Sequence, residues 1–122
     1  MDPENHSNDL KLRTKAFALR VIRMYMTLAK HGLGRVLGEQ VLRSGTSVGV
    51  QYREAHRARS TAEFISKMEC VIQELDETVY WLELLVEGNV VSAGKMQALL
   101  TEAEELIAIF VTSVRTAKRR QS

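Results

Sequence analysis

Residues 40–87 read QVLRSGTSVGVQYREAHRARSTAEFISKMECVIQELDETVYWLELLVE. In the second half of this stretch, apolar residues recur at alternating intervals of three and four, which places them on one stripe of a helix. A second stripe runs beside the first, so the helix is expected to bury a wide face. The two stripes are Ile65, Met68, Ile72, Leu75, Val79, Leu82 and Val86, and Phe64, Val71, Thr78 and Leu85. Ser60 followed by Glu63 is a capping-box pattern that predicts the start of this helix.

Three further amphipathic segments accompany this helix, and no segment alternates as a strand would. The pattern predicts helices over about 9–30, 35–58, 60–87 and 93–117. Gly32 is predicted to cap the end of the first helix, and Ser92 the start of the fourth. Short links make consecutive helices antiparallel neighbours, so we expect an all-α, up-down-up-down four-helix bundle with a left-handed supercoil. Residues 1–8 are expected to be a disordered polar tail, 9–117 the bundle domain, and 118–122 a basic tail.

Three glycines lie inside the second predicted helix, at Gly38, Gly45 and Gly49. Each costs about 0.5–1 kcal/mol relative to alanine, so each needs a compensating gain. All three fall along one flank of the apolar face. The pattern predicts that another helix packs closely against this flank.

The bulk composition limits the cellular setting. The chain has 122 residues, one cysteine and a net charge of +2. A single cysteine forms no internal disulfide, which suits a reducing compartment. No apolar run approaches the ~18 residues of a membrane span, and the first nine residues lack the apolar core of a signal peptide. We therefore expect a cytoplasmic protein that does not enter a membrane.

No catalytic arrangement is recognisable. A di-iron bundle needs Glu-x-x-His pairs, and neither His31 nor His56 has a glutamate three residues earlier. Cys70 with His56 gives at most two ligands, too few for a zinc site. The spacing of arginines before these histidines also does not match the Arg–His pattern of small helical nucleases. The sequence therefore predicts no enzyme activity, no metal and no cofactor.

The charges are unevenly placed along the chain. Residues 10–30 carry six cations and no acid, whereas 61–87 carry seven acids and one lysine. Cations outside the apolar stripes of helix 1, with those of the C-terminal tail, form a candidate surface for phosphate groups. Its residues are Arg13, Arg20, Arg23, Lys30, Arg119 and Arg120. The alternative is that these cations pair with acids of helix 3, such as Glu74 or Glu77, in the same or a neighbouring subunit.

Tyr80, Trp81 and Leu84 project away from the apolar stripes of helix 3. Large apolar groups on an outer face are typical of an interface. We therefore predict that these three residues are buried between subunits. The alternative is that Trp81 covers the rim of the core.

Several short motifs resemble a known bacterial family. They are Arg43-Ser44-Gly45-Thr46-Ser47, Arg53-Glu54-Ala55, Ser60, Phe64, Glu77-Thr78 and Tyr80-Trp81-Leu82. Over roughly residues 10–117 the chain is similar to the four helix bundle proteins encoded by 23S rRNA intervening sequences. That family is related to the accessory variability determinant of diversity-generating retroelements. The matched motifs are mostly small and apolar, so they specify packing rather than chemistry.

This resemblance implies a partner set. Members are similar to ring-forming proteins, often pentamers, and the retroelement relatives bind nucleic acid and a reverse transcriptase. The resemblance therefore implies a homopentameric, non-enzymatic adaptor for RNA, DNA or a protein partner. The alternative function is a purely structural interaction module without a nucleic-acid role.

Overall fold

The structure of the chain is a computed structural model that describes residues 3–121, with side chains from residue 6 onward. Four helices follow one another: α1 (Pro3–Met26), α2 (Leu33–His56), α3 (Thr61–Glu87) and α4 (Ala93–Gln121). No strand occurs between residues 3 and 121. The all-α class and the four helices predicted from the sequence are therefore confirmed.

The buried face of α3 is centred between the two predicted stripes. From Met68 onward its buried positions alternate between them, while Ile72, Val79 and Val86 of the first stripe are only half-buried. The reason is that α3 packs against α2 on one side and α4 on the other, so both stripes meet a neighbour. The buried positions are Ile65, Met68, Val71, Leu75, Thr78, Leu82 and Leu85.

A polar cap defines the start of α3. The Ser60 hydroxyl accepts a hydrogen bond from the Glu63 amide over 3.1 Å, as the capping-box pattern predicts. The return bond is different, because the Glu63 carboxylate accepts from the amide of Arg59 over 3.4 Å rather than from Ser60. Ser92 caps α4 more weakly, since its hydroxyl lies 3.4 Å from the Lys95 amide.

Helices α1 and α4 extend beyond the predicted domain of residues 9–117. Helix α1 begins at Pro3, so residues 3–8 are helical where a polar tail was expected. Proline suits the first helical position, because its φ is preset and its missing N–H would have no helical partner there. The Ser7 hydroxyl also lies 2.9 Å from Nδ1 of His56 and 3.3 Å from the Tyr52 hydroxyl, which ties this turn to α2. Met1 and Asp2, also part of the predicted tail, lie outside the described residues.

The far end of the chain shows the same difference. Helix α4 continues to Gln121, so residues 118–121 form its last turn where a separate basic tail was expected. Cations suit this position, because the carbonyl end of a helix carries partial negative charge. Ser122 lies outside the described residues.

The end of α1 also differs from the prediction. The helix stops at Met26, and the Thr27 hydroxyl bonds to the carbonyl of Met24 over 2.6 Å. Gly32 has the expected positive φ of 91°, but as the residue preceding α2 rather than as the cap of α1. The predicted role of Gly32 is therefore wrong, although its left-handed backbone is not.

Specific contacts fix how the helices meet. Consecutive helices are the main neighbours; α1 and α4 touch with far fewer contacts, and the backbones of α1 and α3 nowhere come close. At the centre of the α2–α3 contact, Thr78 donates to the Ser44 hydroxyl over 2.7 Å, and both side chains are fully buried. Ser44 in turn donates to the carbonyl of Gln40 over 2.9 Å, so the buried pair is satisfied.

Ion pairs near the ends of helices α2, α3 and α4 agree with this arrangement. Lys67 at the start of α3 lies 3.3 Å from Glu54 near the end of α2, and Lys118 of α4 lies 3.4 Å from Glu69 of α3. Within residues 3–121, none of the helices is both long and apolar enough to cross a membrane.

Candidate nucleic-acid and assembly surfaces

Arg13 forms the main tie between α1 and α4. Its guanidinium donates to both carboxylate oxygens of Glu102, over 2.8 and 2.7 Å, and reaches Glu105 over 2.8 Å. These hydrogen bonds hold the pKa of the Glu102 carboxyl below its usual value. Arg13 was predicted to contact nucleic acid, but its charge is satisfied inside the subunit, so it is an interhelical tie instead.

The other cations of the predicted α1 surface are placed differently. Arg20 and Arg23 border a cavity of about 210 Å³ between α1 and α4, together with Lys95. Arg20 is half-buried and Arg23 exposed, and neither makes an ion pair with the side chains of residues 6–121. Lys30 lies in the link after α1 and is exposed. Arg23 and Lys30 are thus open to solvent, whereas the charge of the half-buried Arg20 also helps to lower the pKa of the Glu102 carboxyl.

Glu74 and Glu77 of α3 pair with α2, not with the cations of α1 that the sequence analysis considered. Arg43 of α2 lies 3.6 Å from Glu74 and 3.1 Å from Glu77. Because α1 does not approach α3, no arginine of α1 reaches these carboxylates within the subunit. Burial raises the pKa of Glu74, and the neighbouring charge of Glu77 adds to this, against the opposing charge of Arg43. The alternative that the cations of α1 pair with the acids of α3 in the same subunit is therefore wrong.

One end of the molecule carries a basic cluster of which the sequence analysis named only Arg120 as a candidate contact. The α2–α3 link and the last turns of α2 and α4 supply Arg53, Arg57, Arg59, Arg115 and Arg120, all exposed. None of the five has a carboxylate within 4 Å among the described side chains. We call this group the basic end. A signal was present in the sequence, because four of the seven residues from 53 to 59 are Arg or His.

A shared cavity brings two members of the basic end together. Arg59 from the α2–α3 link and Arg120 from α4 line one cavity of about 400 Å³. Ser60 and Phe64 at the start of α3 complete its wall. Arg119, predicted with Arg120 as a nucleic-acid contact, is exposed in the same turn. Positive charge from helices distant in sequence is thereby concentrated in one place.

The predicted interface residues fall into two groups. Tyr80 is 55% exposed, whereas Trp81 and Leu84 are half-buried. Trp81 packs against the core, and its ring meets that of Tyr80 edge to face at 5.2 Å. The indole Nε1 is buried without a hydrogen-bond partner among the described residues. Trp81 thus covers the rim of the core, and Tyr80 is the member presented to solvent.

A second apolar surface, on α1, was also missed. Leu12, Leu19 and Met26 are 67%, 45% and 74% exposed. They are spaced seven residues apart, so they lie on one line along the helix, opposite its buried face. The sequence analysis assigned no role to these three residues. We call these three residues the α1 ridge.

The three glycines of α2 differ in how tightly α1 approaches them. A Cβ at Gly45 would lie 2.9 Å from Cγ2 of Val21, and one at Gly38 would collide with Leu28. At Gly49 the nearest atom, Oγ1 of Thr14, would be 3.4 Å away, which is ordinary contact. Close approach of α1 therefore explains Gly45; at Gly38 the nearest obstacle is the flexible end of Leu28, and Gly49 has room for a Cβ.

The structure brings no metal-ligating group together in the part of the chain that it describes. Among these residues, no three His, Cys, Asp or Glu side chains converge. Cys70 is exposed and forms no disulfide. The features that distinguish this molecule are its surfaces: the basic end, the α1 ridge and the outer face of α3.

These features define a class of small four-helix proteins whose outer faces differ from one another in charge and in exposed apolar groups. A family model for the 23S rRNA-intervening sequence proteins matches residues 7–112, and the chain belongs to that family. It is also similar to a crystal structure of a protein of unknown function from the S23 ribosomal protein family of Bacteroides thetaiotaomicron. The identity is 32% and the TM-score 0.83, over 89% of this chain and 97% of that one. No curated protein matches the chain.

Proposed function

We propose that this protein is a non-enzymatic, self-assembling adaptor that binds RNA or DNA in the cytoplasm. In this proposal the subunit is an up-down-up-down, left-handed bundle, and copies assemble into a ring-like homo-oligomer, a pentamer by family resemblance. A reverse transcriptase is included as a candidate protein partner on that resemblance alone. The proposal needs no metal and no cofactor.

The basic end is the observation that carries the nucleic-acid part. Five arginines from three segments lie towards one end of the bundle without carboxylate partners among the described side chains, and two of them, Arg59 and Arg120, line one cavity. Arginine binds phosphate oxygens, like carboxylates, through paired N–H donors. Repetition of this cluster in an oligomer would make each weak contact multivalent. Arg119, in the same turn of α4 as Arg120, extends the proposed surface. Arg20, Arg23 and Lys30 form a second candidate group towards the start of α4, where Arg20 and Arg23 share a cavity with Lys95.

A structural explanation competes with this one. Cations in the last turn of a helix interact favourably with its partial negative charge, typically by about 0.3–1 kcal/mol. Arg53 and Arg57 stand at the end of α2, and Arg120 at the end of α4. If stabilisation of helix ends were their whole role, neutral substitutions would lower stability and leave no binding activity to lose.

Three double variants with the same change in net charge separate these explanations. Arg57→Gln with Arg59→Gln removes two charges at the basic end, and Arg20→Gln with Arg23→Gln removes two beside α1. In the control, Gln73→Glu with Gln97→Glu makes the same change at exposed sites elsewhere.

Gel shifts with RNA and DNA over a salt series, beside thermal melts, give the readout. We expect binding that weakens steeply with salt, with a slope reduced by about one to two in the basic-end variant, since each lost phosphate contact removes about 0.9. The control should bind like the parent. Absence of parental binding at about 50 mM salt, where the phosphate contribution is strong, would overturn the nucleic-acid proposal. Equal losses in all three variants would overturn the assignment to the basic end.

The exposed apolar surfaces favour a second candidate, a structural interaction module without nucleic acid. The α1 ridge and Tyr80 expose large apolar groups that suit contact with protein. The same experiment discriminates, because this candidate predicts an assembled parent that shifts no nucleic acid at any salt.

A further inference from the structure

We propose that copies of this chain join head to tail, with the α1 ridge of one subunit packed on the outer face of α3 of the next. The inference deepens the proposed self-assembly and rests on it. It names the two surfaces that meet and the polarity of the contact, and it commits to a second copy of this chain as the occupant of both.

The first argument is the chemistry of the α1 surface. The ridge residues Leu12, Leu19 and Met26 are exposed over fourteen residues, a length of about 21 Å in a helix. The charges that α1 itself supplies here are of one sign, since residues 10–30 contain six cations and no acid, and of the six only Arg13 is paired, with Glu102 and Glu105 of α4. The surface continues onto α2, where Val50 is exposed and borders, with Lys15 and Ala18, a groove of about 190 Å³. The α1 ridge is flanked by cations, so a complementary partner surface would be apolar at its centre and carry carboxylates around it.

The outer face of α3 has that complementary character. Tyr80 is its exposed aromatic residue, with Leu84 half-exposed one turn later. Asp76, Glu83 and Glu87 are exposed around them and make no ion pair with the described side chains. Aromatic groups bordered by polar residues are typical centres of protein interfaces. Opposite charges around the rim would then fix orientation and steer association.

The position of the two helices gives the polarity. The backbones of α1 and α3 are not neighbours within the subunit, so their outer faces point away from each other. The two complementary surfaces therefore cannot meet in one molecule. When two different surfaces of a subunit pair, the contact is heterologous, and repetition gives a closed ring or an open filament.

Two single variants and their mixture test this pairing. Leu19→Asp disables the α1 surface and Tyr80→Asp disables the α3 surface; both sites are exposed, so the fold should tolerate the change. Each variant alone should sediment as a monomer at a concentration where the parent is assembled. Mixed in equal amounts they should form a one-to-one complex, because each supplies the surface that the other lacks. Ala108→Asp, at an exposed site of α4 away from both faces, should assemble like the parent.

Circular dichroism melts of each variant show that the bundle is intact. A mixture that stays monomeric, while the parent assembles, overturns the α1–α3 pairing but leaves self-assembly standing. A variant that still assembles alone also overturns it. A parent that is monomeric at micromolar concentration overturns this inference together with the assembly part of the proposed function. Nucleic-acid binding is measured separately by the gel shifts, so its failure is distinguishable from either result.

Discussion

Gly45 and Gly49 lie one turn apart on the same flank of α2, yet their surroundings differ. The Cβ of an alanine at Gly45 would lie 2.9 Å from Val21, which is fully buried. A buried β-branched side chain has little rotamer freedom with which to move away. At Gly49 an alanine fits in ordinary contact with Thr14. At each site, alanine gains helix propensity and adds a cost of overpacking. The balance of the two differs between Gly45 and Gly49.

We expect Gly45→Ala and Gly49→Ala to change stability in opposite directions. Overpacking at Gly45 should cost about 1–3 kcal/mol, more than the gain in helix propensity. At Gly49 the gain of up to about 1 kcal/mol should remain. Denaturant unfolding at one fixed protein concentration measures both. If both variants were more stable than the parent, the close approach of α1 at Gly45 would be refuted.

The Arg13–Glu102 contact makes stability depend on pH. The pKa of Glu102 is lowered in the folded protein from its usual 4.5, mainly by the hydrogen bonds from Arg13. A carboxyl with a lowered pKa binds fewer protons in the folded state, so its contribution is present above the usual value and is lost as pH falls through the folded value. We expect Glu102→Gln to lower the melting temperature at pH 7 and to flatten the decline in acid.

A nearby residue supplies the control for this prediction. Glu104 is exposed on the same helix and makes no ion pair with the described side chains. Glu104→Gln should therefore follow the parent curve of melting temperature against pH. Coincident curves for the Glu102 and Glu104 variants would mean that the tie to Arg13 contributes nothing measurable.

At the scale of the helices, the ends were harder to predict than the interiors. The heptad pattern of α3 and its Ser60 cap are local signals, and the structure has both. The early start of α1 depends on a contact between Ser7 and His56, which are distant in sequence. At the early end, the Thr27 hydroxyl bonds locally to the carbonyl of Met24. Neither contact involves the apolar side chains from which the helix was predicted. Both predicted bounds of α1 therefore lie several residues from the observed ones.

The two serine caps give a prediction for individual helices. Ser60 accepts from the Glu63 amide over 3.1 Å, whereas the corresponding distance from Ser92 to Lys95 is 3.4 Å. We expect Ser60→Ala to cost about 1 kcal/mol, within the usual range for a lost cap, and Ser92→Ala to cost less. Thermal melts of the two variants, measured side by side, decide the order. Equal losses would show that cap geometry does not set the difference.

At the scale of the whole molecule, the sequence predicts the core better than the surfaces. Residues such as Phe17, Leu75 and Phe110 follow the helical period, and all three are fully buried. The candidate surfaces depend on which helices are neighbours. Arg13 looked free because its partner Glu102 is 89 positions away, and Arg59 and Arg120 share a cavity only after α3 and α4 have packed. Charge and exposure cannot be assigned until those neighbours are known.

The sparse contact between α1 and α4 has a consequence for motion. These helices meet along a line held chiefly by Arg13, with a cavity of about 600 Å³ towards His6 and Arg120. Local opening of a folded protein starts where buried contacts are fewest. We therefore expect the first local opening to separate α1 from α4, while α2 and α3 stay together at the Ser44–Thr78 contact. Amide protons beside that contact should exchange with solvent last.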